Sequence, residues 1–114
     1  MSLGMKTIIY PVKDIAKAKT LFSSLLGVEP DMDKPYYVNF NVGGLDVGLH
    51  PHGHSLGMTG PVCYWNVADI KGSLQQLVSA GARAVQEPKD VGGGKLVATV
   101  KDADDNVIGL IQAS

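Results

Sequence analysis

Apolar and polar positions along the chain follow one pattern of strand, turn and helix, and that pattern occurs twice. Residues 7–30 (TIIYPVKDIAKAKTLFSSLLGVEP) begin as an apolar strand and continue as a helix, and residues 62–88 (VCYWNVADIKGSLQQLVSAGARAVQEP) repeat this order. In both copies the strand leads into a Val-x-Asp-Ile step, whose aspartate is Asp14 in the first copy and Asp69, 55 positions later, in the second. A repeat of this kind in a short chain predicts two copies of one supersecondary unit.

The helices are predicted from residues spaced three and four apart on one face. These are Ile15, Ala18, Phe22 and Leu25 in the first copy and Ile70, Ser73, Leu74, Leu77 and Val78 in the second. Asp14 and Asp69 are placed to accept hydrogen bonds from the free backbone amides of the first helical turn. We expect Gly27 and Gly81 to end the helices, because glycine adopts the left-handed conformation without a Cβ clash.

The remaining strands are predicted from alternation and from turn residues. Residues 36–42 alternate, with Val38 and Phe40 on one face, and the Gly43-Gly44 turn predicts a hairpin partner. Residues 29–34 and 51–61 are predicted loops. The predicted elements are strands at 6–12, 36–42, 46–50, 62–67, 83–86, 95–100 and 107–112, and helices at 14–26 and 70–80. Each half is interpreted as βαβββ, and two such sheets with one helix each on the outside leave a concave inner face that suits a ligand.

The size of the chain fits this arrangement. With 114 residues, 12.0 kDa and 45% hydrophobic residues, the sequence predicts one soluble globular domain. We place this domain at 5–114, with repeats at about 5–55 and 60–114. Residues 1–4 (MSLG) resemble an appended leader, with Met5 as the natural start.

Charge and cysteine content exclude several classes of function. Ten basic and eleven acidic residues give a formal charge of -1, which offers no broad attraction for nucleic acid or an anionic membrane. No stretch approaches the ~18 apolar residues of a membrane span, and no signal peptide is visible. The single Cys63 excludes an internal disulfide and predicts a reducing, cytoplasmic environment.

Three stretches carry a family resemblance. They are V-K-D-I-x-K-A-x-x-L-F-x-x-L-L-G at 12–27, G-P-V-x-Y-W-x-V-x-D-I at 60–70 and K-D-A-D-D-N-V-I-G-L-I-Q at 101–112. Together they resemble the vicinal oxygen chelate superfamily, which includes glyoxalase I, extradiol dioxygenases, fosfomycin-inactivating enzymes and bleomycin-resistance binding proteins. The resemblance implies an α+β fold in which two βαβββ repeats form a mixed, curved eight-stranded sheet with a concave cavity. It also implies a homodimer.

The same resemblance implies where a metal would bind. Metal-dependent members carry a histidine seven residues before the first Val-x-Asp aspartate, a Glu or His on the strand that ends each half, and another His or Glu that opens the second half. Those positions are Thr7, Gly48, Val62 and Gly109 in this chain. Valine and glycine offer no side-chain ligand, and one threonine cannot hold a divalent ion. We therefore predict no metal and no cofactor.

Gly48 and Gly109 occupy matching places in the two repeats, and two interpretations stay open. The glycines relieve strain in twisted strands, or their missing side chains enlarge the cavity. Glycine within a strand also often marks the close approach of another group.

The histidines suggest an alternative metal site. His50, His52 and His54 alternate in the segment HPHGH, a composition that can bind metal. Two of them together with a carboxylate such as Asp46 are a possible relocated site, although this set is smaller than the usual complement of ligands. If the segment is instead a polar loop at the mouth of the cavity, His50 still lies on the same strand face as Gly48.

Alternation assigns the lining of the predicted pocket. If Thr7 and Val62 face inward, Tyr64 and Asn66 do too, while Cys63 and Trp65 pack against the helix. The predicted lining is Thr7, Ile9, Tyr37, Asn39, Asn41, Gly48, His50, Tyr64, Asn66, Thr99 and Gly109. Two aromatic rings with several hydrogen-bonding groups suit a small organic molecule.

Two classes of function follow. The favoured one is a metal-free small-molecule-binding protein that resembles the bleomycin-resistance type. The alternative is a glyoxalase-like lyase, isomerase or dioxygenase with a rearranged site at His50, His52 and His54, in which His50 would be the catalytic base. The metal content of the purified protein discriminates between them.

Overall fold

The computed structural model describes residues 2–113. Met1, the first residue of the expected leader, and Ser114, the expected end of the domain, lie outside these residues. The elements are β1 (Ser2–Pro11), α1 (Ile15–Leu26), β2 (Met32–Lys34), β3 (Tyr37–Val42), β4 (Leu45–His50), a 3₁₀ turn (His54–Leu56), β5 (Val62–Val67), α2 (Ile70–Ser79), β6 (Arg83–Asp90), β7 (Leu96–Lys101) and β8 (Val107–Gln112).

The strands follow the hydrogen-bonded order β2-β3-β4-β1-β5-β8-β7-β6 in one eight-stranded sheet. The sheet is mixed, because β1 pairs with β4 and β5 pairs with β8 in parallel, whereas β2/β3, β3/β4, β6/β7 and β7/β8 are antiparallel. The α+β fold with two βαβββ repeats is therefore confirmed. Contacts divide the chain into two compact units, here called the first unit (Thr7–Val62) and the second unit (the described residues on either side of it).

In the first unit, the alternate residues of three strands pack against α1. The buried cluster consists of Val38, Phe40, Val47 and Leu49, with Ile8, Tyr10 and Phe22 among the side chains packed on it. The rings of Tyr10 and Phe22 lie 4.9 Å apart, so β1 and α1 are in contact through these two side chains. The alternation predicted for 36–42 is thus observed.

In the second unit, α2 packs against β6, β7 and β8. Its core consists of Val67, Ile70, Leu74, Ala98, Val100 and Leu110. Trp65, which we expected in this helix-facing core, is 39% exposed and lies outside it, and Cys63 is only partly buried. The prediction for Trp65 is wrong because alternation determines the face of a strand but not whether a helix covers that face.

Both helices are capped by the residues that the sequence indicated. Asp14 accepts a hydrogen bond from the Lys17 amide at 3.1 Å, and Asp69 accepts one from the Gly72 amide at 3.2 Å. The first helix ends at Gly27, whose φ of 70° is left-handed. Side chains at these N-cap positions satisfy amides that have no partner within the helix.

Two edge strands differ from prediction. Met32–Lys34 was predicted to be a loop, but it pairs with β3 as β2. The strand predicted at 83–86 extends to Asp90 with a register shift between Gln86 and Lys89, which contains Pro88. Proline has no amide hydrogen and is tolerated at the bulge of an edge strand. Among the described residues, neither helix has the length and apolar composition needed to cross a bilayer.

Candidate functional site

The predicted site residues of the first unit share the side of the sheet that faces away from α1. They alternate with the core residues of β1, β3 and β4, and we call them the first-unit face: Thr7, Tyr37, Asn39, Asn41, Gly48 and His50. Thr7 is buried, and Tyr37, Asn39 and His50 are partly buried. This placement agrees with the alternation on which their prediction depended.

Tyr37 covers Gly48 on this face. A Cβ atom at Gly48 would collide with the Tyr37 hydroxyl and would lie 2.5 Å from its Cζ atom. In the antiparallel pair, Gly48 is directly opposite Asn39, so Tyr37 reaches it diagonally. The interpretation that a missing side chain enlarges a cavity here is wrong, because the tyrosine ring occupies that space. Glycine instead permits the close approach of the ring.

His50 lies beside Tyr37 and is oriented by its own turn. The two rings are 6.1 Å apart in an edge-to-face arrangement. The backbone amide of His52 donates a hydrogen bond to His50 Nδ1 at 3.1 Å. Burial and the neighbouring His52 both lower the pKa of His50 below its usual value. The local environment therefore favours the neutral imidazole.

The two asparagines of this face are engaged with carboxylates. Asn39 Nδ2 donates to Asp31 at 2.9 Å and to Asp46 at 3.1 Å, and Asn41 Nδ2 donates to Asp46 at 3.0 Å. The alternation pattern in the sequence does not identify Asp31 and Asp46 as hydrogen-bond partners of the asparagines. For Asp46 the signal was available, since a hairpin closed by Gly43-Gly44 brings it opposite Asn41.

The relocated metal site of two histidines with Asp46 is wrong. Asp46 and His50 are four residues apart on one extended strand, which separates their Cα atoms by roughly 13 Å. His52 and His54 lie in the exposed turn that follows. Within residues 2–113, no three His, Cys, Asp or Glu side chains come together in a group that could hold a metal ion.

The second unit repeats the pairing of tyrosine with glycine. Its predicted site residues, called the second-unit face, are Tyr64, Asn66, Thr99 and Gly109. A Cβ atom at Gly109 would lie 2.5 Å from Tyr64 Cδ2 and 2.7 Å from Cγ, so the ring lies directly over the glycine. Gly109 is paired with Tyr64 on one side and with Thr99, which is buried, on the other. Burial raises the pKa of the Tyr64 phenol. The single pocket expected from both faces stays a prediction.

The residues at the positions implied for metal ligands do not fit a divalent ion. Thr7 offers one hydroxyl, Val62 offers no ligand atom, and the two glycines are covered by tyrosine rings. A divalent ion needs several nitrogen, oxygen or sulfur ligands. A carboxylate or imidazole introduced at either glycine would require a tyrosine ring to move.

Cavities on the surface of the described residues also lie elsewhere, and the sequence did not indicate the pair described next. One, of about 390 Å³, is lined by Lys71, Leu74, Gln75, Val78, Ala84, Glu87 and Pro88 beside α2. The other, of about 330 Å³, is lined by Ile15, Ala16, Lys19, Asp33, Lys34, Pro35 and Val38 beside α1. Both are on the helix side of their unit, so they do not coincide with the predicted faces. The linings mix charged and apolar residues without a motif that could have identified them.

Comparison with solved structures supports the fold. A structure described as an NAD-dependent benzaldehyde dehydrogenase from Legionella pneumophila has a TM-score of 0.75 and 18% identity, covering 95% of this chain and 98% of that chain. A glyoxalase/bleomycin resistance protein/dioxygenase superfamily member from Vibrio splendidus has a TM-score of 0.71 and 20% identity, covering 94% and 97%. Methylmalonyl-CoA epimerase from Mycobacterium tuberculosis has a TM-score of 0.71 and 18% identity, covering 99% and 89%. At these identities the similarity shows a shared fold.

Sequence comparison identifies the family. No curated protein matches the chain. The sequence model of the Glyoxalase/Bleomycin resistance protein/Dioxygenase superfamily matches residues 4–110, which is nearly the whole chain. The eight-stranded mixed sheet and the paired βαβββ repeats agree with that match. The protein therefore belongs to the glyoxalase/bleomycin resistance protein/dioxygenase superfamily.

Proposed function

We propose that the protein binds a small organic molecule without a metal ion. The observation that carries this proposal is that tyrosine rings cover Gly48 and Gly109, the two positions where the family resemblance implies metal-ligating side chains. Where the resemblance implies a metal-ligating atom, this chain instead has an aromatic ring on which a small molecule can stack. Such a surface recognises ligands by shape and by contact with apolar or aromatic groups.

The polar groups around each ring support the same function. Tyr37 has His50 and Thr7 on its face, and Tyr64 has Asn66 and Thr99 on its own. Sites for small molecules combine aromatic walls with a few placed hydrogen-bonding groups. The ligand is accordingly a small, partly aromatic molecule that carries heteroatoms. Its cellular context is the cytoplasm, as the single cysteine suggests.

Metal content is the first test. Protein prepared without a His tag should contain no stoichiometric Zn, Ni, Mn or Fe by elemental analysis. About one bound ion per chain, lost in His50→Ala or His52→Ala, would contradict the proposal and favour the enzymatic alternative.

Ligand binding by the tyrosine faces is the second test. In a thermal-shift screen of aromatic compounds, a ligand at a hundred times its dissociation constant adds roughly 2.7 kcal/mol to stability. Each kcal/mol moves the melting temperature of a domain of this size by roughly 4–8 °C, so a true ligand gives a clear shift.

Variants then locate the site. Tyr37→Ala or Tyr64→Ala should remove the shift while circular dichroism shows an intact fold. Tyr36→Ala is a matched control, because Tyr36 precedes Tyr37 in sequence but is 58% exposed. A ligand that binds both tyrosine variants as tightly as the parent would place the site elsewhere, for example at the cavities beside the helices.

A further inference from the structure

The two ring nitrogens of His50 have different, fixed roles in hydrogen bonding, and the proposed function alone does not require this. Its Nδ1 atom accepts a hydrogen bond from the His52 backbone amide. A neutral imidazole has one donor and one acceptor nitrogen, so a ring that accepts at Nδ1 carries its proton on Nε2. The backbone amide cannot act as an acceptor, and protonated Nδ1 would face it donor to donor. The turn therefore selects one tautomer.

The turn that supplies this amide is itself held by backbone hydrogen bonds. The His50 carbonyl accepts from the Val12 and Gly53 amides at 3.1 and 3.2 Å, and the Leu56 amide donates to the His52 carbonyl at 3.1 Å. Gly53 is buried, and a Cβ atom there would lie 2.6 Å from Pro11 Cβ. The chain after β4 is thus tightly placed, which fixes the position of the His52 amide relative to the imidazole.

The surroundings of His50 determine which ligand groups can reach its Nε2 atom. The ring lies edge-to-face with Tyr37, and Tyr37 covers Gly48, so an aromatic surface adjoins the imidazole. Asp46 is on the same strand face, and its Cα atom lies roughly 13 Å from that of His50 along β4. Its carboxylate already accepts hydrogen bonds from Asn39 and Asn41. The carboxylates of Asp31 and Asp46 are thus engaged by asparagine amides rather than by His50.

Resting on the proposed function, we infer that His50 Nε2–H is a hydrogen-bond donor that selects ligands with a carbonyl or carboxylate oxygen attached to a planar ring. The ring of the ligand packs on Tyr37 and its oxygen accepts from Nε2. A ligand whose only polar group is an ammonium presents no acceptor and is rejected. The same tautomer offers no acceptor nitrogen to a substrate proton, so His50 is a specificity-determining residue in place of the general base considered from the sequence.

The tautomer is tested without any ligand. In protein labelled with ¹⁵N-histidine, two-bond ¹H–¹⁵N correlation spectra should show His50 with a protonated Nε2 and an unprotonated Nδ1 at neutral pH, assigned by the loss of its signals in His50→Gln. His52→Ala keeps the backbone amide and should leave this pattern unchanged. A protonated Nδ1 in the parent, or a tautomer change in His52→Ala, would overturn the inference.

Ligand selection is tested with benzamide, benzoate and benzylamine as probes. Benzamide, benzoate or both should shift the His50 signals, while benzylamine should not, and comparison of the first two distinguishes a neutral carbonyl from a carboxylate. His50→Gln places an amide donor near the position of Nε2 and should bind within about twofold of the parent, whereas His50→Leu should bind roughly tenfold more weakly. His54→Leu, in the exposed 3₁₀ turn, is the control and should bind as the parent does.

The outcomes separate this inference from the proposed function. Equal binding of benzamide or benzoate to the parent and His50→Leu would remove His50 from recognition while leaving a small-molecule site in place. Preferential binding of benzylamine, or no binding of any of the three probes, would overturn the ligand class. Loss of binding in Tyr37→Ala but not in His50→Leu would support the binding function alone.

Discussion

Gly48 and Gly109 are each covered by a tyrosine, but the two rings approach from different strands. Tyr37 comes from the antiparallel strand β3 and reaches Gly48 through its hydroxyl end. Tyr64 is directly opposite Gly109 in a parallel pair, and the base of its ring lies over the glycine. Aromatic side chains can reach both direct and diagonal neighbours across a sheet. The tolerance of the two glycines to substitution should therefore differ.

We predict that Gly109→Ala destabilises the protein more than Gly48→Ala does. The added methyl group of Gly109→Ala meets Tyr64 Cγ, which cannot move without a change of rotamer or backbone, and overpacking of this kind costs roughly 1–3 kcal/mol. At Gly48 the first obstacle is the Tyr37 hydroxyl, at the end of a side chain that can swing away. Urea unfolding of the two variants measures the difference.

Two further variants complete this experiment. Gly60→Ala is the control, because nothing lies within 4 Å of the position that its new methyl group would take, and little change is expected. In the Tyr64→Ala background the cost of Gly109→Ala should fall, since the ring that the methyl group would meet is gone. Additive effects of the two substitutions would contradict the packing explanation.

The lowered pKa of His50 predicts a pH dependence of stability. The unfolded chain takes up a proton at this position near the ordinary histidine pKa of 6.5, before the folded chain does. The stability contributed by neutral His50 is therefore fully present above this pH and is lost as pH falls toward the lowered folded-state pKa. Within the described part of the chain, the rings that face His50 are those of Tyr37 and His52.

Unfolding midpoints at about pH 7.5 and about pH 5.5 provide the measurement, and the parent should lose more stability between them than His50→Gln. His54→Gln, a substitution at an exposed position of the 3₁₀ turn, is the control. Identical losses in the parent and in His50→Gln would show that other groups carry the pH dependence.

At the level of elements, the helices begin where an aspartate caps them. Removing the cap in Asp14→Ala or Asp69→Ala should cost about 1 kcal/mol of unfolding free energy, because one helical amide loses its acceptor. Asp14→Asn and Asp69→Asn retain a side-chain oxygen and should remain close to the parent in chemical denaturation. If asparagine were as damaging as alanine, the negative charge rather than the cap would be responsible.

The helices and most strands could be predicted because their signals are local. Helical spacing, capping aspartates and strict alternation all act within a few residues. The strand β2 has no apolar alternation of its own, and its three exposed residues become a strand only by pairing with β3. The extension of β6 through Pro88 likewise depends on pairing with β7. Such edge strands are determined by pairing with a neighbouring strand and have weak signals of their own in the sequence.

At the level of the whole molecule, the sheet order places β2 and β6 at the two ends. An edge strand carries backbone groups without a partner strand, and association with another subunit is one way to cover them. We predict a homodimer, which sedimentation velocity at micromolar concentration should detect. A monomer under these conditions would contradict the prediction without affecting the fold.

The sequence by itself determined the superfamily, the repeat, the helix boundaries and the face of each candidate residue. These follow from short-range periodicity and from motifs such as the Val-x-Asp-Ile steps. The candidate residues of the first-unit face alternate with core residues as expected, but that alternation did not indicate their hydrogen-bond partners. Asn39 and Asn41 were expected to be open to a ligand, and the structure shows that their amides donate to carboxylates.

Tertiary structure decided how those residues are used. Whether a glycine opens a space or accepts a ring depends on the neighbouring strand, which placed Tyr37 over Gly48 and Tyr64 over Gly109. Whether Trp65 is buried depends on the position of α2, which packs against the other strands of its unit. Both outcomes depend on how separate elements pack on one another, and the geometry of such contacts is created only when the strands pair and the helices pack.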